Sequence, residues 1–188
     1  MRKRKLIVFE MVSVDGYFTG DKGDLSWAHR THDAEWNEFT AQNAKGGGVF
    51  LLGRVTYEMM ASHWPSPEAA KENPVVAESM NQNEKVVFSR SLDRPTWQNT
   101  RVVKGNIAAE VRRMKEEAGP PLVVMGSGTI VSQLAAEGLV DEYQLVIFPI
   151  ALGKGRTLFE GAGRHVALKR TNERSFHNGN LLLCYRPA

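Results

Sequence analysis

The chain predicts an α/β fold: a mostly parallel central sheet with flanking helices, extended by an antiparallel hairpin at its C-terminal end. Short apolar runs suited to buried strands alternate with stretches of helical periodicity up to residue 150. Beyond that point the pattern is strand alone, folded around Asn178-Gly179, a dipeptide that favours the positive φ angles of a tight hairpin turn. Three strand ends run into short segments carrying Gly, Ser, Thr and Arg, at the carboxyl edge where ligands of parallel sheets lie.

The first strand spans residues 5–14, a nearly continuous apolar run with β-branched residues, as in a strand covered on both faces. Period-two counting puts Phe9 and Met11 on one face and Val8, Glu10 and Val12 on the other. Glu10 is the one charge inside the run, either a paired structural carboxylate or a group in a cleft, with pairing the expectation. Residues 17–27 are rich in Gly, Asp and aromatics and read as an ordered loop able to cover a site. Phe18 and Trp27 are its candidate pocket-lining side chains, with packing as the alternative role.

Asp33 caps a helix through Trp36 and Phe39 that Gly46-Gly47-Gly48 ends. Residues 49–52 form a second buried strand, which runs directly into Gly53-Arg54-Val55-Thr56-Tyr57-Glu58 and a helix start. Ser66-Pro67-Glu68 is an N-cap followed by proline at the first helical position, and Pro74 interrupts the helical stretch it opens. Residues 85–89 form a third strand with Arg90 just past its end, and 101–103 a fourth. Ile107, Val111, Met114 and Ala118 then recur at helical spacing until Gly119-Pro120-Pro121. Residues 122–125 make a further buried strand, broken by Gly126-Ser127-Gly128; from Thr129, Ile130, Val131, Leu134 and Ala135 share a helical face until Gly138. A strand over 142–150 and the hairpin of 166–176 with 181–186 complete the chain.

With 188 residues the chain supports one buried core, so a single domain over 1–188 is expected. No apolar run approaches the ~20 residues that span a bilayer, and the basic start lacks a signal-peptide pattern, so a cytoplasmic protein without membrane partner is expected. Cys184 is the sole cysteine, which excludes an internal disulfide and multi-cysteine zinc sites; no metal site is expected. The formal net charge is only +3, and the one tight basic cluster, residues 2–5, reads as a solvated terminus, so no nucleic-acid partner is expected.

Gly53-Arg54-x-Thr56, Ser89-Arg90 and Gly126-Ser127-Gly128-Thr129 fall at strand ends. Together they supply two guanidinium groups, two threonine hydroxyls and helix N-termini whose free N–H groups favour an anion, which points to a phosphorylated ligand. A standard Rossmann domain is excluded, since Val131 stands at the third glycine's place.

These residues resemble the dihydrofolate reductase superfold. More closely, the chain resembles the reductase domain of the bifunctional deaminase-reductase of riboflavin biosynthesis and its stand-alone relatives. The motifs are Ser13-x-Asp15-Gly16, Gly53-Arg54-x-Thr56-x-Glu58, Val87-x-Ser89-Arg90, Gly126-x-Gly128 and Pro149-x-x-x-Gly153-x-Gly155 before Leu158-Phe159, spread over nearly the whole chain. The resemblance implies a three-layer, dihydrofolate reductase-like fold with NADPH across the carboxyl edge of the sheet. It places Gly53, Arg54 and Thr56 at the helix start that meets the cofactor's phosphates, Ser89 and Arg90 at the adenosine 2′-phosphate, and Gly126, Ser127, Gly128 and Thr129 around the pyrophosphate. A 2′-phosphate suits a guanidinium, so NADPH is expected over NADH.

The chain departs from dihydrofolate reductase where Asn37, with Glu38 beside it, occupies the position of the helix carboxylate, and where Val146 replaces its partner threonine. The expected activity is hydride transfer from NADPH to a nitrogen heterocycle, a phosphoribosylaminouracil-like pyrimidine or a pterin, with Asp15 and Glu38 as candidate acids. The alternative is a non-catalytic NADPH- or pterin-binding protein of the same fold. The C-terminal hairpin offers an edge for a homodimer.

Overall fold

Apolar strands joined through helices must run side by side in one direction, because each crossover brings the chain back to the same edge of the sheet. The computed structural model describes residues 3–29 and 33–188. Its strands are β1 (Leu6–Ser13), β2 (Tyr17–Thr19), β3 (Val49–Gly53), β4 (Lys85–Phe88), β5 (Thr100–Val103), β6 (Leu122–Met125), β7 (Glu142–Phe148), β8 (Arg156–Thr157), β9 (Leu168–Ser175) and β10 (Leu181–Pro187). Its helices are α1 (Ala34–Lys45), α2 (Arg54–His63), α3 (Pro67–Glu72), α4 (Pro74–Gln82), α5 (Ile107–Glu116) and α6 (Gly128–Ala136).

Eight strands form one sheet in the order β5-β4-β3-β6-β1-β7-β10-β9. The first six are parallel; β10 runs antiparallel to both β7 and β9, which is the predicted hairpin. β1 lies at the centre, pairing Leu6 with Leu122 on one side and Ile7 with Glu142 on the other. Helices α5 and α6 pack Val111, Met114, Val131 and Leu134 against Val8, Val12 and Val124 on one face. The other face carries an aromatic cluster around Trp27, Trp36 and Phe148, and a second around Tyr57, Met80 and Trp97. Three layers result, helices on both faces of one sheet.

Capping follows the sequence closely. Asp33 accepts from Trp36 N at 2.8 Å, Ser66 from Ala69 N at 3.1 Å, and Pro74 restarts the chain as α4. Two features differ from expectation. The segment read as loop at 17–27 contains β2, paired with β8, because the loop after β7 returns across it. The strand expected to reach residue 150 ends at Phe148, where Pro149 has no N–H to continue the ladder.

Candidate functional site

β4, β3 and β6 are consecutive neighbours, so Ser89-Arg90, Gly53-Arg54 and Gly126 to Thr129 emerge side by side at the carboxyl edge, each about 4.8 Å from the next. Ser127 stitches two of these junctions. Its hydroxyl donates to Thr56 Oγ1 at 2.9 Å and accepts from the backbone N–H of Gly53 at 2.8 Å. Both Gly126 and Ser127 have φ of 63°. A Cβ at Gly126 would lie 2.8 Å from Thr56 Cγ2, and one at Gly128 would lie 2.6 Å from the Phe18 ring. The structure therefore brings Gly53, Thr56, Gly126, Ser127 and Gly128 into one contact cluster.

Side chains of Asp33, Ser66 and Asn106 cap α1, α3 and α5; no side-chain hydrogen bond caps α4, which opens on Pro74, or α2 and α6, the two helices that start at this edge. Unpaired first-turn N–H groups and the helix dipole make such ends attractive to phosphate. Arg54 flanks the first of them and pairs with both oxygens of Glu58 at 2.9 Å on the exposed surface. Arg90 is exposed beyond β4, and the Ser89 hydroxyl shapes that turn by accepting from Ser91 N at 3.2 Å and Leu92 N at 3.0 Å.

Arg156 was not among the sequence candidates. Its Nη2 donates to Thr129 Oγ1 at 3.1 Å, and its guanidinium carbon lies 5.7 Å from the centre of the Phe18 ring. The signal that points to it is its place directly after Gly153-x-Gly155, a pattern that otherwise reads as a plain turn. Asp15 fixes this loop: its carboxylate accepts from Ser13 Oγ at 2.6 Å, Gly153 N at 2.7 Å and Leu152 N at 3.0 Å. The Ser13 hydroxyl first, then the Gly153 amide, hold Asp15 down at about 2, so it stays ionised at neutral pH and has no proton to give. Gly155, at φ +153°, passes so near Thr19 that a Cβ would sit 2.0 Å from its carbonyl oxygen.

Other candidates lie elsewhere. Glu38 is exposed on α1 and accepts from Gln42 Nε2 at 2.9 Å, and Asn37 beside it is exposed too. Asp15 and Glu38 share no partner. Phe18 and Trp27 do not line one pocket: Phe18 is buried in the cluster with α6, whereas Trp27 is buried on the opposite face, edge-on to Phe148. They diverge because successive turns of the 17–27 segment pack on different sides of the sheet. Val146 is fully buried beside Met11.

Glu10 departs from its expected pairing. It is 5% exposed with no basic partner among the described residues, and Oε1 is buried without a hydrogen bond to any of them. Burial pushes its carboxyl well above the ordinary value, offset in part by a hydrogen bond from the Gly126 backbone, so it holds its proton beside the glycine turn. On the other face, half-buried Met11 and Met125 flank the same turn at the ends of β1 and β6.

A cavity of about 500 Å³ opens at the opposite, amino-terminal edge of the sheet, lined by Arg4, Arg112 and Lys115 among others. Several of its bases are already matched: Lys3 with Glu116, Arg112 with Glu137, Lys115 with Asp141. It is not the edge where the junctions meet. No group of three or more metal-ligating side chains occurs among the described residues.

Comparison with known proteins identifies the family and the fold. The profile of the RibD C-terminal domain family matches residues 4–182. A Shewanella sp. PV-4 protein whose name places it provisionally in riboflavin biosynthesis superposes with a TM-score of 0.73 at 20% identity, covering 98% of this chain and 99% of that one. The Thermotoga maritima diaminohydroxyphosphoribosylaminopyrimidine deaminase/5-amino-6-(5-phosphoribosylamino)uracil reductase superposes at 0.65 with 16% identity, covering 99% of this chain and 57% of that longer one. Enterococcus faecalis dihydrofolate reductase, in complex with NADP(H), gives 0.64 at 15% identity, covering 97% and 96%. At these identities the superpositions speak to the fold.

Proposed function

The chain belongs to the RibD C-terminal domain family, within the dihydrofolate reductase-like superfamily, and from that premise we propose that it is an NADPH-dependent reductase acting on a flat nitrogen heterocycle. The observation that carries this reading is the pair of uncapped helix starts, α2 and α6, joined by the Ser127 hydroxyl at the carboxyl edge. The residues present fit such a cofactor: N–H groups at two helix ends, and the orphaned Glu10 Oε1 beside Gly126.

When bound, the nicotinamide supplies the hydride. The chain's own residues bind and orient. Gly126, Ser127, Gly128 and Thr129 would surround the pyrophosphate, Gly53, Arg54 and Thr56 would present the second helix end to it, and Ser89 and Arg90 would take the 2′-phosphate. Met11 and Met125 offer an apolar seat for the flat substrate. Asp15 works by holding residues 152–153, while Glu38 is the remaining candidate on the proton route. A Glu38→Gln variant with undiminished kcat removes it from that route. The reading includes one domain over 1–188, a cytoplasmic setting and a homodimer, with no nucleic-acid partner. Buried, reduced Cys184 suits such a compartment, and no helix among the described residues is long and apolar enough to cross a membrane.

Titration with NADPH and NADH, followed by tryptophan quenching, tests the cofactor. We expect NADPH to bind at least about tenfold tighter, and Arg90→Ala to abolish that preference while leaving NADH unchanged. Equal affinities for the two cofactors in the unmodified protein overturn the 2′-phosphate placement. A second reading, a non-catalytic NADPH- or pterin-binding protein, is favoured by exposed Asn37 at the position of the helix acid. Saturable binding without NADPH oxidation across a panel of pyrimidines and pterins selects it.

A further inference from the structure

We propose that Arg156 is a phosphate clamp, a guanidinium held in readiness on Thr129 that closes on the pyrophosphate of the bound dinucleotide. This rests on the cofactor reading above and names a residue that reading does not use.

Arg54, Arg101, Arg112, Arg113, Arg170 and Arg174 each meet a carboxylate. Arg156 instead meets a neutral hydroxyl at 3.1 Å and an aromatic face at 5.7 Å. Neither contact neutralises it, and a guanidinium stacked on a ring keeps the N–H groups along its edge free for a planar pair of oxygens. A phosphate adds an opposite charge and can accept two parallel N–H bonds from the planar fork, neither of which the Thr129 hydroxyl offers, so exchange of Thr129 for phosphate oxygens is favoured.

The loop that carries Arg156 is fixed at two points. Asp15 binds the amides of Leu152 and Gly153, and Gly155 runs against the Thr19 carbonyl so closely that no side chain fits. A long side chain on an anchored loop is delivered to one place, here the first turn of α6, whose Gly128 packs under the same Phe18 ring.

A second, independent observation marks the turn as built for a ligand. Glu10, nine-tenths buried and bonded to the Gly126 backbone, leaves Oε1 without a hydrogen-bond partner. A buried orphaned polar atom next to the glycine turn is costly unless something is bound there.

Calorimetric titration of the unmodified protein, Arg156→Ala, Arg156→Lys and Arg90→Ala with NADPH and with NADH tests the clamp, alongside the melting temperature of each without cofactor. Since both cofactors share the pyrophosphate, Arg156→Ala is expected to weaken both by the same factor, about tenfold or more, with Arg156→Lys intermediate. Arg90→Ala should weaken NADPH alone. Cofactor-free Arg156→Ala should melt within about 2 °C of the parent, because the bond it loses is an exposed one. If the parent binds NADPH and Arg156→Ala binds both cofactors within about twofold of it, the clamp is wrong and the cofactor reading stands. Loss of NADPH affinity alone in Arg156→Ala also overturns it, by moving the guanidinium to the 2′-phosphate. If Arg156→Ala fails to fold, Arg156→Lys decides: parental affinity for both cofactors rejects the clamp. A parent that binds neither cofactor removes both readings.

Discussion

Glu10 and Lys85 are buried without an ion pair among the described residues, and they respond to pH in opposite directions. Glu10 keeps its proton in the native state, whereas the unfolded chain releases it near the ordinary glutamate value of about 4.3. Over the interval between those two values the native state holds more protons, so stability falls as pH rises. Glu10→Gln, which mimics the protonated acid, should therefore be more stable than the parent at pH 8, by about 1.4 kcal/mol for every whole pH step between the unfolded and native titrations, with the gap closing at about pH 4. Urea unfolding at the two pH values measures it. Lys85 is fully buried in β4, donating to the carbonyls of Met80 and Asn81 at 2.9 and 3.0 Å, with its ammonium 4.3 Å from the Trp97 ring. Burial lowers it to about 8. Between that value and the unfolded lysine's roughly 10.4, the unfolded chain binds the extra proton, so stability climbs with pH there. Lys85→Met should flatten the climb in urea midpoints taken from pH 8 to 10. Neither residue was legible as it stands. Glu10 looked pairable because burial of a carboxylate usually demands a cation, and Lys85 gave no signal because a lysine at a strand start is ordinarily solvated.

The helices and strands were legible because each carries its own chemistry: Asp33, Ser66-Pro67, Pro74 and Asn178-Gly179 act within a few residues of themselves. What the sequence concealed is what depends on distant segments. The β2–β8 pair exists only because residues 152–156 return to the first loop, and Asp15 reads as a free acid until its partners 137 and 138 positions away are known. Gly155 tests this element. Gly155→Ala would place a methyl inside van der Waals contact of Thr19 O and should open the β2–β8 pair, lowering both melting temperature and cofactor affinity. Gly153→Ala, also at positive φ but with open space around it, should cost only about 1 kcal/mol. Similar losses in the two variants would show that backbone strain, and not the contact with Thr19, fixes the loop. At the stitched junction, Ser127→Ala leaves the Gly53 N–H without its acceptor and should cost about 1–3 kcal/mol in urea unfolding.

At the scale of the whole molecule, the outer strand β9 presents Lys169, Arg170, Glu173 and Arg174 to solvent, a row of charges that discourages edge-to-edge pairing. The face beside it differs. Leu181 and Leu183 on β10 lie opposite Ile147 and Leu145 on β7, all half-buried, and this apolar surface is where we expect the homodimer to form. Sedimentation should report a dimer, and Leu183→Glu a monomer; a monomeric parent rejects the expectation. The central position of β1 bears on biogenesis. It is made long before its neighbours: Leu6 finds its partner on one side only at Leu122, and Ile7 its partner on the other at Glu142. At about 5–20 residues per second, that apolar strand waits on the order of ten seconds for its partners. During this time the nascent chain carries an uncovered sticky segment, so its yield in cells should depend on holding chaperones more than the stability of the finished protein would indicate.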